Sequence, residues 1–146
     1  MSRSDTPRAG GRAILVLLAV LAILVMACGT TASSGSASLT GKLWQWTEST
    51  ISEPGTIPDP SLYTVTFADD GTFSAKVDCN QAAGGFTTTA EGGITITPGP
   101  MTMAACPEGS LSDVYLAGLG GATSYTVSDT ELVLTTATGT MTFAPG

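Results

Sequence analysis

The pattern that most limits how this chain can fold lies between positions 63 and 77. Tyr63, Val65 and Phe67 alternate with Thr64 and Thr66, and then Phe73, Ala75 and Val77 alternate with polar neighbours. A period of two puts every apolar side chain of a strand on one face. Between the runs stands Ala68-Asp69-Asp70-Gly71. Asp-Gly suits a tight hairpin turn, because both residues tolerate positive φ. The stretch therefore predicts an antiparallel hairpin with one buried and one wet face.

Similar runs at 43–47, 86–89, 93–96, 124–127, 131–135 and 140–143 predict further strands. Turn signals at Gly92-Gly93, Ser128-Asp129 and Thr138-Gly139 separate several of them. Trp44 and Trp46 share a strand face, so one is expected to anchor the core and the other to sit at its rim. A single segment breaks the pattern. Leu111, Val114, Tyr115, Gly118 and Leu119 follow helical spacing, with Pro107 near the start and Gly120-Gly121 at the end. Glu108 and Asp113 would face the positive end of that helix's dipole. The fold class expected is α+β: a β-rich curved antiparallel sheet or partly closed barrel with one packed α-helix. Residues 39–146 have room for one core and not for two.

The N-terminus carries a different signal. Arg3, Arg8 and Arg12 precede the apolar run from Ala13 to Met26, which ends at Ala27-Cys28. The run is shorter than the about 20 residues a membrane-spanning helix needs. Val25-Met26-Ala27-Cys28 has the form of a bacterial lipobox, in which the thiol of Cys28 takes a diacylglyceryl group. Residues 1–27 then read as a lipoprotein signal peptide, and 28–38 as a lipidated cysteine with a small, polar, flexible linker. The expected address is the cell membrane or outer membrane, on the extracytoplasmic side.

Processing of that kind would remove three of the 5 basic residues and, of the 12 acidic ones, only Asp5. Lys42 and Lys76 would remain against the other acids. Such a surface repels nucleic acid and anionic lipid head groups, so membrane contact would come from the acyl chains alone.

Cys79 and Cys106 are left after Cys28. An oxidising compartment favours a structural disulfide, which would stabilise the fold by about 3–4 kcal/mol in the chain-entropy account. A reactive thiol pair lacks both CxxC spacing and a basic neighbour in sequence. Zinc wants four ligands, and the chain has no histidine. The missing histidine also removes Ser-His-Asp triads and imidazole general bases. Asp69-Asp70 is better explained as a turn than as a catalytic pair. Asp78 and Asn80 could meet a cation, but no calcium-loop pattern surrounds them. Met101 and Met103 suit core filling better than copper. No catalytic residue, metal or cofactor is assigned.

Four blocks resemble the META domain of HslJ-like bacterial envelope proteins. They are Leu39-Thr40-Gly41-Lys42-Leu43-Trp44; Thr66 to Phe73 with Asp78-Cys79-Asn80-Gln81 and Gly84-Gly85-Phe86-Thr87; Met101-Thr102-Met103-Ala104-Ala105-Cys106-Pro107; and the helix with Tyr125, Leu132-Val133-Leu134 and Met141-Thr142-Phe143. Two departures stand out. Asp78 replaces the usual glycine before the cysteine, and the opening loop over 48–60 is longer and richer in proline. The resemblance implies a compact β-rich fold with one helix, and structural roles for Trp44, Cys79, Asn80, Thr102 and Cys106. It implies no reaction. It points to a non-enzymatic lipoprotein with a binding or scaffolding role in stress or drug tolerance, acting on an envelope protein. The alternative is a carrier of a small apolar ligand, suggested by a curved sheet lined with Phe, Ile and Met.

Overall fold

The predicted hairpin forms as β2 (Tyr63–Phe67) and β3 (Thr72–Val77), with Val65 opposite Ala75 and Phe67 opposite Phe73. The computed structural model describes residues 37–51, 53 and 55–146. The expected signal peptide, Cys28 and all but the last two residues of the expected linker lie outside these residues. In the turn, Asp70 Oδ1 accepts from the hydroxyl of Thr72 at 2.6 Å and from its N–H at 3.0 Å. These two bonds, the hydroxyl's first, hold the Asp70 carboxyl below its usual pKa. Gly71 has a φ of 82°, where a Cβ would be strained.

Eight strands make one antiparallel sheet. Besides the hairpin they are β1 (Leu43–Ser49), β4 (Asn80–Thr88), β5 (Ile94–Met101), β6 (Ala122–Val127), β7 (Leu132–Thr136) and β8 (Thr140–Pro145). Their order is β5-β4-β3-β2-β1-β8-β7-β6. The outer strands touch at Gly93 and Ser124, where Tyr125 N–H donates to Gly92 O at 2.9 Å. The sheet is thus an almost closed barrel, as the sequence led us to expect. A helix, α1 (Ser112–Gly120), packs against β5 and β3.

Two of the strands run further than the sequence suggested. β4 begins at Asn80 and uses the run Gln81-Ala82-Ala83-Gly84-Gly85; β5 continues through Pro98-Gly99-Pro100. Neither stretch has strand propensity. Close packing explains both. A Cβ at Gly84 would lie 2.6 Å from the Phe73 ring and collide with Thr97 O. The ladder also shifts register between Ala82 and Gly84, which bends the sheet toward closure. Prolines are tolerated on β5 because it is an outer strand.

Two aromatic groups fill the interior. Phe67 packs on Phe73 and Phe86, with centroids 6.3 and 4.8 Å away. Trp46, Tyr63, Tyr115 and Phe143 form the other group, Trp46 lying 5.3 Å from Tyr115 and 5.8 Å from Tyr63. Trp44 and Trp46 are both fully buried. The expectation that one sits at a rim is therefore corrected: β1 is flanked by β2 and β8, and neither ring lies near an open edge. Trp44 Nε1 donates to Leu39 O at 2.9 Å.

The helix begins one turn later than its sequence signals suggest. Pro107 to Ser110 form a turn, so Glu108 precedes the helix and only Asp113 lies in its first turn. No side chain of the N-cap residue, Leu111, closes the end; the hydroxyl of Tyr63 accepts the Leu111 N–H at 2.8 Å instead. The proline-rich loop after β1 is also tied down. Glu48 pairs with Thr56, Ile57 N–H donates to Thr47 O at 2.9 Å, and Ile57 is buried.

Tyr115 Oη is buried and finds no hydrogen-bond partner among the described residues. Burial pushes its pKa well above the ordinary value. Tyr115→Phe should hold or raise stability at neutral pH, by up to about 1–3 kcal/mol, since it removes an unsatisfied group. Because the folded pKa lies above the unfolded value of about 10, the unfolded state gives up its proton first, so Tyr115 adds no pH dependence below that value and costs stability as pH rises past it. Chemical denaturation from pH 7 to 11 should show a shallower alkaline decline in the variant.

Candidate functional site

Strand directions sort the loops into two ends. One end holds the chain entry at Leu39–Lys42, the 68–71 and 128–131 turns, and Gly146. The other holds the 50–62 loop, the Asp78-Cys79 turn, the 102–111 loop and the 137–139 turn. The helix lies across this second end, here called the distal rim.

A clasp orders the distal rim. Cys79 and Cys106 are joined by a disulfide, with Cα atoms 5.5 Å apart. Between them in sequence lies Asn80, only 7% exposed. Its Oδ1 accepts from Ala104 N–H at 2.8 Å and from the Thr102 hydroxyl at 3.0 Å. Its Nδ2 donates to Ala104 O at 2.9 Å and lies 3.3 Å from Cys106 Sγ. One amide thus satisfies both main-chain groups of Ala104, as a neighbouring strand would. Thr102 completes the arrangement: its Oγ1 accepts Gln81 N–H at 2.9 Å and its own N–H reaches Gln81 O at 3.0 Å.

Asp78 turns the chain into the clasp. Its φ is 58°, in the left-handed region. Glycine suits that region best, and Asp is among the few other residues that tolerate it. Its N–H is held by Leu62 O at 2.7 Å. The departure at this position therefore keeps the turn at a modest backbone cost.

Five exposed or half-exposed residues, Thr102 to Cys106, are pinned this way without regular structure. Met103 stands out, 84% exposed, so core filling, expected for both methionines, fails for this one. Met101 is half-buried beside it. The two methionines and Leu116 line a cleft of about 350 Å³ with Asp113 and the clasp. A smaller cleft of about 210 Å³ adjoins it across Ser110, bordered by Asp59, Asp78 and Glu108. A third, of about 400 Å³, lies between α1 and the 136–138 turn and is lined mainly by Ile51, Val114, Ala117 and Gly118. All three open at the distal rim.

The structure brings together Cys79, Asn80, Thr102 and Cys106. It places Trp44 elsewhere, toward the chain entry, bonded to Leu39. Cys28 is outside the described residues. Among those residues no three His, Cys, Asp or Glu side chains lie close enough to hold a metal ion. Sequence reasoning missed the exposure of Met103, for which alternation with Met101 was the available signal.

Residues 37–145 match the family model of the META domain. The chain belongs to that family. The META domain also resembles a DUF4847 family protein from Bacteroides vulgatus ATCC 8482, with a TM-score of 0.55 at 15% identity, over 73% of this chain and 93% of that one. A protein from Burkholderia xenovorans solved by NMR gives a TM-score of 0.57 at 16% identity, over 100% of this chain and 95% of that one. At these identities the likeness concerns the fold. A comparison with curated proteins finds no significant match.

Two changes should loosen the META domain's clasp. Asn80→Ala leaves both main-chain groups of Ala104 unpaired and should cost about 1–3 kcal/mol in equilibrium denaturation of the oxidised protein. Reduction of the Cys79–Cys106 bond should cost about 3–4 kcal/mol in the same assay. Unchanged midpoints would show that the clasp bears no load.

Proposed function

We propose that this META domain is a lipid-tethered, non-catalytic binding module of the cell envelope, serving stress or drug tolerance through a protein partner. The observation that carries this reading is the separation of the two ends. The chain enters beside Phe67, where Gly41 N–H donates to Phe67 O at 3.0 Å. The clasped loop and the three clefts gather at the opposite end. A domain tethered through Cys28 would have its attachment at the entry end, which leaves the distal rim clear of the anchor. A loop locked at three points loses little conformational freedom on binding, which favours recognition. The chemistry of the chain suits a binder. It lacks histidine, and its Cys79 and Cys106 are committed to each other.

Intact mass of the mature protein from membranes tests the tether: acyl mass on an N-terminal Cys28 is expected. A photo-crosslinking residue at position 103 tests the rim in cells. It should give a reproducible protein adduct that the same probe at position 69 does not. Equal adducts from both positions, or turnover of an envelope substrate by the purified protein, would sink the reading.

The third cleft favours a second reading, a small apolar ligand. Its lining is largely aliphatic, with Ile51, Val114 and Ala117, and Gly118 lets the helix pack closely on Ile51 and Met141 beneath it, where a Cβ would collide. The barrel interior is less suited, because Trp44, Trp46, Tyr115, Phe67 and Phe143 fill it. Native mass spectrometry after gentle extraction should then retain a ligand, and Ala117→Phe, which fills the cleft from the exposed face of the helix, should release it.

A further inference from the structure

We propose that the distal rim takes a cationic, amphipathic peptide segment of a partner protein, an inference that rests on the binding-module reading above. The surface is continuous. The 350 Å³ cleft and the 210 Å³ cleft share Ser110, so they lie on the two sides of the segment that leaves the disulfide. The first cleft offers apolar contact: Met101, Leu116, Ala104 and Ala105, with Met103 standing 84% exposed beside them. A large exposed apolar side chain on a pinned loop is the kind of group that anchors an interface. Thioethers adapt their shape to what they meet.

The charge around these clefts selects the occupant. Asp59, Asp78 and Glu108 border the smaller cleft, and Asp113 borders the larger. The nearest cation in the fold, Lys76, is turned to Ser61 O at 3.0 Å. Among the described residues the one ion pair, Lys42 with Asp129 at 3.6 Å, lies at the opposite end. The rim carboxylates therefore have no basic partner among the described residues. A Lys or Arg side chain would meet complementary charge in the smaller cleft while a neighbouring Leu, Met or Phe entered the larger one. Anionic lipid and nucleic acid would be repelled by the same charges.

The test uses the oxidised full-length protein in a neutral detergent and three labelled ten-residue peptides, Leu alternating with Lys, with Ser or with Glu. Fluorescence anisotropy should show the Leu/Lys peptide binding most tightly. Asp78→Asn with Glu108→Gln should weaken it about fivefold, as should Met103→Ala. Asp69→Asn with Glu131→Gln removes as many charges at the opposite end and should change nothing. Equal weakening by the two charge pairs would overturn the proposal, because attraction to net charge alone would explain the binding. Equal or tighter binding of the Ser or Glu peptide, still sensitive to Met103→Ala, would overturn the cationic class and leave the rim as a binding face. Failure of all three peptides to bind would overturn this inference, while the crosslinking comparison between positions 103 and 69 decides the wider reading independently.

Discussion

Pairing of the first strand with the last holds the barrel together. β1 lies between β2 and β8, so it joins the β2–β5 meander to the β6–β8 meander. Its register sets Trp46 opposite Phe143 and Ser49 opposite Met141. A slip of one residue would turn Trp44 and Trp46 outward and empty the interior. The direction of β1 also sets the two ends of the molecule apart. The chain enters at the start of β1, and everything beyond its end belongs to the distal rim.

The rim is built from residues with little local preference for structure. Thr102 to Cys106 would be a loose loop on propensity alone. Asn80 supplies the missing strand-like partner, the disulfide fixes the loop's end, and Asp78 accepts the left-handed backbone that brings Asn80 into place. The helix is held by the same economy of parts. A tyrosine hydroxyl from β2 satisfies its first free N–H, and its inner face presents Tyr115 and Leu119 to the core. Order at the rim is thus imposed by tertiary contacts and not by local propensity.

Much of this was legible before any coordinates. Period-two alternation located β2 and β3 and their Asp-Gly turn, because half-buried strands carry that pattern in every side chain. Helical spacing from Leu111 to Leu119 located α1. The first half of β4 and the end of β5 were hidden, since Gly84, Gly99 and the prolines answer to close packing and to an outer edge and not to propensity. Rim geometry was hidden for the same reason: hydrogen bonds between Asn80 and Ala104 leave no periodic trace. The family blocks did flag Cys79, Asn80, Thr102 and Cys106, yet nothing in them showed that a single amide serves both main-chain groups of one residue. The long loop after β1 stood out in sequence only by its length and prolines, and its burial of Ile57, with Ile51 and Leu62 packed on the core beside it, follows no periodic pattern.

The clasp makes the distal loop a fixed surface. Amide hydrogen exchange at Ala104 tests it most directly, because that N–H is bonded to Asn80 Oδ1 in a segment otherwise open to water. In the oxidised protein Ala104 should exchange far more slowly than Met103, and Asn80→Ala should abolish the difference. Exchange of Ala104 at the rate of its exposed neighbours in the native protein would show that the loop is not fixed.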